Sequence, residues 1–480
     1  MTDAPPQNTK AKPESQKKPS KKGRGGMIVL EPVAGTRDFI PSDMRYRAWL
    51  FSKFHAVAKK YGFEEYDAPI LESEELYKRK AGEEITQQMY NFTDKSEQQV
   101  ALRPEMTPSL ARLILSQGKS LLMPVKWYSI PQCWRYETTT RGRKREHYQW
   151  NMDIWGVPNV SAEAELLAAI CEFFKLVGLT SQEVGIKISS RKVLETVMKG
   201  LNISSEQFAP ACVIVDKLDK LQKEDVVQQL SILGISEESS LELISIMQIK
   251  DIDELSQKIG EESVAELRQL FDLVKGYGVA EYLRFDASIV RGLSYYTGVV
   301  FEAFSISRNS ELSRAICGGG RYDRILTTYG AKQDTPACGF GFGDVVILEI
   351  LRDLNKIPKE VSRHVVNDLV VPFNEDLRPQ ACKVVTMLRD AGIPAEVYLP
   401  KTKKIANTFS YAERIDADRV IMIAPDEWNA GEVKVKYMKL QPKGVGEEEK
   451  NTVGVQFAVK VDDLLNFVIP EEEMKQYERR

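Results

Sequence analysis

Ser-Ile-Val-Arg-Gly-Leu-Ser-Tyr-Tyr-Thr-Gly-Val-Val-Phe-Glu-Ala-Phe, residues 288–304, joins a polar, glycine-containing entry to an apolar end. β-Branched and aromatic residues dominate from Tyr296 to Phe304, which predicts a buried strand. Arg291 is expected on the turn that enters this strand, and Gly292 permits a sharp bend or the close approach of a ligand. A core does not need an arginine and two tyrosines at the mouth of a strand, so the stretch favours a pocket for an anion beside a flat, polar ring.

A second glycine-rich stretch follows at 317–323, with the sequence Cys-Gly-Gly-Gly-Arg-Tyr-Asp, and is predicted to form another turn. It adds Arg321, Tyr322 and three consecutive glycines. Each stretch by itself is equally consistent with a hairpin turn that carries polar side chains. Two such stretches close together in the chain favour a shared binding site.

Length and composition exclude several classes of protein. A chain of 480 residues is too long for one hydrophobic core, so two or three domains are expected. A net charge of −3 argues against a protein that coats nucleic acid, and no apolar run reaches the length of a membrane span. The six cysteines are scattered and only three histidines occur, which argues against a zinc site or disulfide framework and predicts a reducing, cytoplasmic location.

Periodicity and turn residues divide the first half of the chain. Residues 1–26 are basic, contain almost no large apolar side chain and are predicted to be disordered. The patterns that follow predict a helix over 42–61, a strand over 64–71 that includes Pro69, strands over 88–94 and 99–103, and a helix from about Pro108. Charged amphipathic helices are predicted over about 193–280.

A long basic loop is predicted between two strands, 126–130 and 148–155. Its sequence, Arg-Tyr-Glu-Thr-Thr-Thr-Arg-Gly-Arg-Lys-Arg-Glu at 135–146, is much longer than a hairpin needs. Guanidinium groups bind phosphate oxygens in a fork, so this loop suits a triphosphate and an RNA end better than a solvated charge run. Gln149 and Asp153 are expected on one face of the second strand because their spacing is even.

The last part of the chain is predicted to form a separate domain. Strands over 368–372, 395–399 and 419–424 alternate with helices over 379–391 and 405–415. This βαβα pattern predicts an α/β domain with a mostly parallel sheet.

The two glycine-rich stretches resemble, at 291–298 and 318–323, the histidine-binding signatures of histidyl-tRNA synthetases, which are class II aminoacyl-tRNA synthetases. The regions 42–71, 126–156 and 336–351 resemble class motifs 1, 2 and 3. The resemblance implies an α+β catalytic domain with an antiparallel sheet of six or seven strands, a helical insertion and a C-terminal α/β anticodon-binding domain. The implied division is a tail at 1–26, the catalytic domain at 27–192 and 281–362, the insertion at 193–280 and the anticodon-binding domain at 363–480.

Site residues follow from the resemblance, position by position. Histidine would be bound by Glu105, Thr107, Gln149, Asp153, Arg291, Tyr295, Tyr296 and Tyr322. ATP would be bound by Arg135, Glu137, Arg143, Gly341 and Gly343, and Arg135 and Arg291 would act at the α-phosphate in catalysis. Glu105 and Thr107 have an alternative role, because a helix start is also the place for capping side chains.

Two positions depart from the family pattern. Asp153 stands where many relatives carry Glu, so the charge is retained on a shorter side chain. Val346 stands where motif 3 normally carries an arginine that holds ATP. Arg321, Arg324 or another cation would then replace that arginine, or ATP is held differently.

The implied activity is ATP-dependent ligation of L-histidine to tRNA(His) through a histidyl-adenylate, by a cytoplasmic homodimer that uses Mg²⁺ and does not bind membranes. Two alternatives stay open. One is a noncatalytic histidine-sensing paralogue that regulates ATP phosphoribosyltransferase, which the altered motif 3 favours. The other is an RNA-binding sensor without amino-acid chemistry, which would not need the two tyrosine-bearing signatures.

Overall fold

A computed structural model describes residues 28–79, 87–215, 218, 221–289, 295–307, 312, 314–364, 366–401, 404–443 and 455–479. The predicted tail at 1–26, together with Arg291 and Gly292, lies outside these residues. The chain divides into two compact units, Met1–Ile357 and Pro358–Arg480.

The first unit is built on a nine-stranded sheet, two or more strands larger than expected. Its strands are Glu64–Glu65 (β1), Val125–Ser129 (β5), Gln132–Trp134 (β6), Glu146–Trp155 (β7), Val184–Ser190 (β8), Leu283–Phe285 (β9), Val299–Ser305 (β10), Ala315–Arg321 (β11) and Ala337–Gly343 (β12). The order is β1-β5-β7-β12-β11-β10-β8-β9, and β6 also pairs with β7. The pairs β1/β5 and β8/β9 are parallel and the others antiparallel, so the predicted antiparallel catalytic sheet is confirmed.

A smaller antiparallel sheet consists of Leu71–Ser73 (β2), Tyr90–Thr93 (β3) and Gln99–Leu102 (β4), in the order β2-β4-β3. The prediction of one strand over 64–71 is wrong, because its ends belong to β1 and β2 in different sheets. Pro69 lies between them, where its missing N–H does not interrupt a ladder.

Helices of the first unit lie close to their predicted positions. Pro41–Lys60 (α1) confirms the helix over 42–61. The others before the insertion are Glu74–Lys78 (α2), Thr107–Gln117 (α3) and Ser161–Leu176 (α4). The region predicted to be helical contains Arg191–Gly200 (α5), Ser205–Val215 (α6), Lys223–Ile232 (α7), Glu237–Met247 (α8), Ile252–Ile259 (α9) and Glu261–Gly276 (α10). Ile325–Thr328 (α11) and Asp344–Asp353 (α12) follow β11 and β12.

Large aromatic side chains cover one face of the sheet. Phe54 of α1 stacks on Trp150 of β7 with ring centroids 4.8 Å apart, and Phe173 of α4 packs 5.0 Å from Phe342 of β12. Even-numbered residues of β7 and β12 belong to this core, so the odd-numbered residues face the other side. Helices α1 and α4 therefore cover one face of the central strands, and the odd-numbered positions of β7 and β12 lie on the opposite face.

The three glycines at 318–320 lie inside β11, so the predicted turn at 317–323 is wrong. Each of them pairs with β10 on one side and with β12 on the other, which makes this the interior of the sheet. The strand that was predicted from Tyr296 begins only at Val299.

A buried ion pair ties the end of β11 to α4. Arg321 donates through Nε and Nη2 to the two carboxylate oxygens of Glu163, at 2.6 Å each, and both side chains are at most 3% exposed. The same guanidinium donates to the carbonyl oxygens of Val157 and Asn159 at 3.0 and 2.9 Å. Arg321 therefore connects the end of β11 to α4 and to the segment that precedes α4.

The second unit contains a five-stranded sheet in the order β14-β13-β15-β16-β18 and a two-stranded sheet, β17-β19. Its strands are Asp368–Pro372 (β13), Ala395–Val397 (β14), Arg419–Ile423 (β15), Glu432–Tyr437 (β16), Leu440–Pro442 (β17), Val455–Lys460 (β18) and Tyr477–Arg479 (β19). Its helices are Arg378–Asp390 (α13), Ile405–Arg414 (α14), Pro425–Asn429 (α15) and Glu471–Met474 (α16).

The prediction of a mostly parallel sheet in this unit is only half correct. Strand β13 is parallel to both β14 and β15, whereas the pairs β15/β16 and β16/β18 are antiparallel. Across both units, none of the described helices has the length and apolar character that crossing a membrane requires.

Replacement of Arg321 by methionine should destabilise the first unit by about 3–5 kcal/mol, because the Glu163 carboxylate would stay buried without its partner. Urea unfolding of the variant and of the wild type, followed by a signal from the first unit, measures the change in the free energy of unfolding. The double variant Arg321→Met, Glu163→Leu should recover part of the loss, since it removes both buried charges. A single variant as stable as the wild type would show that the pair is not needed.

Candidate active site

Glycines on β11 and β12 create the floor of a cleft. A Cβ atom at Gly339 would overlap the carboxylate of Asp153 and lie 2.9 Å from Oη of Tyr322. A Cβ atom at Gly320 would lie 2.9 Å from Cδ1 of Tyr296. The side chains predicted to recognise a ring thus lie directly on bare backbone.

Asp153 and Tyr322 form the centre of this cleft. The Tyr322 hydroxyl donates a hydrogen bond to Oδ1 of Asp153, and both residues are buried. Burial and the Asp153 charge raise the pKa of Tyr322 well above its usual value, so the phenol keeps its proton and remains the donor. An ionised carboxylate has two oxygens, and a ligand N–H is a suitable donor to it.

Tyr295 and Tyr296 add aromatic surface beside this pair. Their rings lie 4.6 Å apart, and the Tyr295 ring meets that of Tyr322 edge to face at 6.0 Å. The structure therefore brings together four predicted residues, Asp153 and the three tyrosines. Arg291 cannot be placed with them, because it lies outside the described residues.

Tyr66 also belongs to this site, and the sequence did not single it out. Its Oη is buried and, among the described residues, has no hydrogen-bond partner. Burial and the charge of Asp153 raise the pKa of Tyr66 well above its usual value, so its hydroxyl stays protonated. A buried O–H without a partner is costly. In the sequence, Tyr66 was distinguished only by being an aromatic residue within a predicted strand.

Glu105 and Thr107 lie at the start of α3. Thr107 is the first helical residue, and the N-cap is Met106, whose side chain makes no capping hydrogen bond. Glu105 is 6% exposed, and the neighbouring Pro104 carbonyl accepts a 2.9 Å hydrogen bond from Nε of Arg135. Neither residue is the N-cap itself, and their segment lies beside the basic loop.

Gln149, Gly341 and Gly343 continue the floor towards α12. The Gln149 side chain lies over Gly341, with Cδ 2.6 Å from the place of a Cβ atom. At Gly343 no atom lies within 4 Å of that place. The bare backbone expected at both glycines is thus open only at Gly343, because Gln149 fills the space at Gly341.

The basic loop is held in place by specific contacts. The Arg135 N–H donates to the Arg145 carbonyl at 2.9 Å and closes the loop at its base. Arg141 donates to Glu349 of α12 at 2.9 Å, and Nε of Arg143 lies 2.6 Å from Oε2 of Glu137. A merely solvated charge run would not show this set of contacts.

Arg135 has a free end within the described part of the chain. Its Nε is used by Pro104, but no hydrogen bond or ion pair of its two Nη atoms is found there. Arg135 is only partly buried, so these donors remain accessible to an anion.

Arg37 was not predicted as important, yet it connects three parts of the site. It donates to Glu146 at 2.7 Å and to Asp344, the first residue of α12, at 3.0 Å. Asp344 is fully buried and also accepts from the N–H of Tyr148 at 2.9 Å. This network fixes the start of α12 against β7.

His147 lies on β7 two residues before Gln149 and therefore faces the same side. Burial, together with the positive charges of Arg135 and Arg37, lowers the pKa of His147 to about 3. The imidazole is thus neutral in the folded protein at physiological pH.

The cations named as possible substitutes at motif 3 are not suitably placed. Arg321 is committed to Glu163, as described above. The Arg324 side chain is 77% exposed, with its nearest carboxylate, Asp334, 3.9 Å away. Val346 itself is 8% exposed, so the position of the expected arginine is an apolar contact.

Comparison with known proteins identifies relatives over most of the chain. A family model described as histidyl-tRNA synthetase matches residues 35–343, and one described as anticodon binding domain matches residues 369–469. A histidine–tRNA ligase of Arabidopsis thaliana, named chloroplastic/mitochondrial, is 48% identical over 91% of this chain and 86% of its own length.

Two further matches agree with this. A histidine–tRNA ligase of Leptospira biflexa is 36% identical over 86% of this chain and 94% of its own length. The crystal structure of histidyl-tRNA synthetase from Nostoc is 26% identical, with a TM-score of 0.73 over 94% of this chain and 99% of that chain.

The neutral state of His147 makes a prediction about acid stability. An unfolded imidazole binds a proton below about pH 6.5, whereas the folded one does so only below about pH 3. Because the unfolded chain then binds more protons, the contribution of His147 to stability falls as pH decreases from about 6.5 to 3. Urea midpoints at pH 7 and pH 4 should therefore show a smaller acid loss for His147→Gln than for the wild type. Identical acid losses would contradict a neutral, half-buried imidazole in the folded protein.

Proposed function

Because this chain belongs to the histidyl-tRNA synthetase family and is a ligase that charges tRNA with histidine, we propose how its own residues carry out the two steps of that reaction. The observation that carries the proposal is the buried Asp153–Tyr322 pair on a glycine floor, next to a loop rich in arginine. The regulatory paralogue is not favoured, because the named relatives with high identity are ligases.

The imidazole of histidine would lie between the aromatic side chains and Asp153. The Asp153 carboxylate accepts one ring N–H, and the buried Tyr66 hydroxyl supplies a second polar contact. Amino acids whose side chains lack ring N–H groups would leave these buried groups unpaired, which is an effective basis for rejection.

The backbone atoms of histidine would be bound at the start of α3 and on β7. Glu105, supported by Thr107, takes the α-ammonium, and Gln149 contacts the amino acid beside it. Arg291 takes part at the carboxylate and α-phosphate, an assignment that rests on its signature alone. These contacts orient the carboxylate towards ATP.

ATP would lie along the cleft towards α12, with adenine near Gly343 and Glu137 and the phosphates near the arginines. A carboxylate oxygen of histidine attacks the α-phosphorus, the bond from that phosphorus to the bridging oxygen breaks, and pyrophosphate leaves with the electron pair. The Nη donors of Arg135 neutralise charge on the α-phosphate, and Arg143 acts at the distal phosphates. Catalysis here is positioning and electrostatic stabilisation.

The second step forms the ester with tRNA. A terminal ribose hydroxyl of tRNA(His) attacks the carbonyl carbon of the histidyl-adenylate, loses its proton and displaces AMP. We assign the helical insertion at 193–280 to the acceptor stem and the domain at 363–480 to the anticodon. The match of the anticodon binding domain model to residues 369–469 supports the second assignment.

Mg²⁺ would enter with ATP as part of the substrate. Within the described residues no group of three or more His, Cys, Asp or Glu side chains could hold a metal ion. Mg²⁺ typically keeps several waters and binds through substrate phosphates with one or two carboxylates, so a dedicated protein cage is not required.

The chain would act as a homodimer. Leu71 and Phe92 are 44% and 48% exposed and lie on the same face of the small sheet, because they pair with Leu102 and Val100, two residues apart. The segment before α1 exposes further apolar side chains, among them Ile28 and Leu30 at 80% and 72%. Apolar surface of this kind is typical of a subunit interface.

The cytoplasm is the location we propose, in keeping with the cysteines, none of which forms a disulfide within the described part of the chain. An organelle is the alternative, which the name of the Arabidopsis relative favours. A fluorescent fusion of the full chain distinguishes the two.

Histidine-dependent exchange of pyrophosphate into ATP tests the proposed activity. The wild type should exchange with histidine and with no other amino acid. Asp153→Asn should lower kcat/KM for histidine about 10- to 100-fold, because the charged acceptor of the ring N–H is lost, while KM for ATP stays unchanged. Asp334→Asn, a change at an exposed carboxylate, serves as the control. No exchange by the folded, histidine-binding wild type would refute the proposal.

The dimer is tested by light scattering of dilute protein. The wild type should have twice the mass of one chain, and the double variant Leu71→Lys, Phe92→Lys should shift towards the monomer. Ile232→Lys places the same charge at a side chain that is 78% exposed in the helical region, and it should leave the mass unchanged. A monomeric wild type would overturn the proposed assembly.

A further inference from the structure

Arg314 lies directly beneath the tip of the basic loop. The loop residue that faces Arg314 is Gly142, which has a φ of +83°. A Cβ atom at Gly142 would lie 3.5 Å from Cδ of Arg314 and 3.6 Å from Cγ2 of Val346. Leu312 completes this contact at 3.3 Å. Arg314 and Val346 therefore touch the same small region of the loop, one from the start of β11 and the other from α12.

The charges around Arg314 leave one positive group uncompensated. Partial burial and the charge of Arg143 lower the pKa of Arg314 below that of an ordinary arginine, and the charge of Glu137 opposes this shift. Glu137 is already bound to Arg143 at 2.6 Å. No hydrogen bond or ion pair of the Arg314 side chain is found within the described part of the chain. Two guanidinium groups with one carboxylate between them form a site for an anion.

The other arginines near the loop are already engaged. Arg141 is bound to α12, and Arg37 to Glu146 and Asp344. Arg145 stacks on the Tyr136 ring, 3.9 Å from its centroid, and donates to two carbonyl oxygens. Like the Nη atoms of Arg135, the guanidinium of Arg314 therefore has unused donors within the described part of the chain.

The position of Arg314 along the sheet suits the far end of a triphosphate. Strand β11 runs from Ala315, next to Arg314, to Arg321, next to Tyr322. Six residue steps at about 3.3 Å place these ends roughly 20 Å apart. In an in-line displacement the leaving pyrophosphate lies opposite the attacking carboxylate. The distal phosphates should therefore lie away from the Asp153–Tyr322 pair, towards Arg314.

We propose that Arg314 binds the distal phosphates of ATP and so replaces, from β11, the arginine that is absent at Val346. This inference rests on the proposed function, since it assigns a further substrate-binding residue to the same cleft. The stem of Arg314 packs under Gly142, and its guanidinium acts with Arg143 on the leaving pyrophosphate.

Pyrophosphate exchange with Arg314→Gln tests the inference, because glutamine keeps much of the stem that packs on the loop. We expect KM for ATP to rise about 10- to 100-fold, in line with the loss of charge-assisted hydrogen bonds, while KM for histidine stays within about twofold. Binding of AMP, which lacks the distal phosphates, should be unchanged. Arg314→Lys should be intermediate, because it keeps the charge and loses the fork.

A relocated arginine supplies the decisive comparison. Adding Val346→Arg to Arg314→Gln should recover part of the affinity for ATP, because both positions border the same part of the loop. Arg324→Gln removes an equally charged but 77% exposed side chain and should behave as the wild type. An active wild type whose KM for ATP is unaltered by Arg314→Gln would refute this role and leave the ligase activity standing. An inactive wild type would instead refute the proposed function.

Discussion

The absence of side chains on one face of two central strands is the constraint on which the site depends. In β12, Gly339, Gly341 and Gly343 alternate with Phe340 and Phe342. The phenylalanines pack into the aromatic core, while the glycines leave the opposite face low enough for other side chains to lie flat on the backbone. A strand normally presents side chains on both faces, so this alternation separates a core from a cleft within one strand.

That floor determines how the polar groups meet. With no Cβ atom at Gly339, Asp153 from β7 and Tyr322 after β11 reach one another across an intervening strand and form a buried hydrogen bond. Neither strand alone contains a complete recognition site. Groups fixed in this way are preorganised for a ligand, so little reorganisation is required when it binds.

The arginines of the first unit divide into structural and available groups. Arg321 and Arg37 are bound to buried carboxylates and connect β11, β7, α4 and α12. The Nη atoms of Arg135 and the guanidinium of Arg314 have no such partner within the described residues. Burying a charge without compensation is expensive, so Arg321 and Arg37 are paired with carboxylates, whereas the donors of Arg135 and Arg314 remain available to an anion.

Local patterns in the sequence determined the elements whose formation depends on residues close in the chain. These are α1, β3, β4, β7 and the helical region after α4, together with the placement of Gln149 and Asp153 on one face of a strand. The two signatures and the basic loop also identified the family, and four of the predicted site residues, Asp153, Tyr295, Tyr296 and Tyr322, lie together in the fold. The tertiary structure decided the rest, because it depends on partners distant in the chain. Residues 318–320 have the composition of a turn, but they form a strand because β10 and β12 pair with them. Arg321 was a candidate for binding ATP, but it forms a buried ion pair with Glu163. Tyr66 and Arg314 belong to no sequence motif. The roles proposed for Tyr66 and Arg314 rest on a hydroxyl group and a charge that have no partner among the described residues.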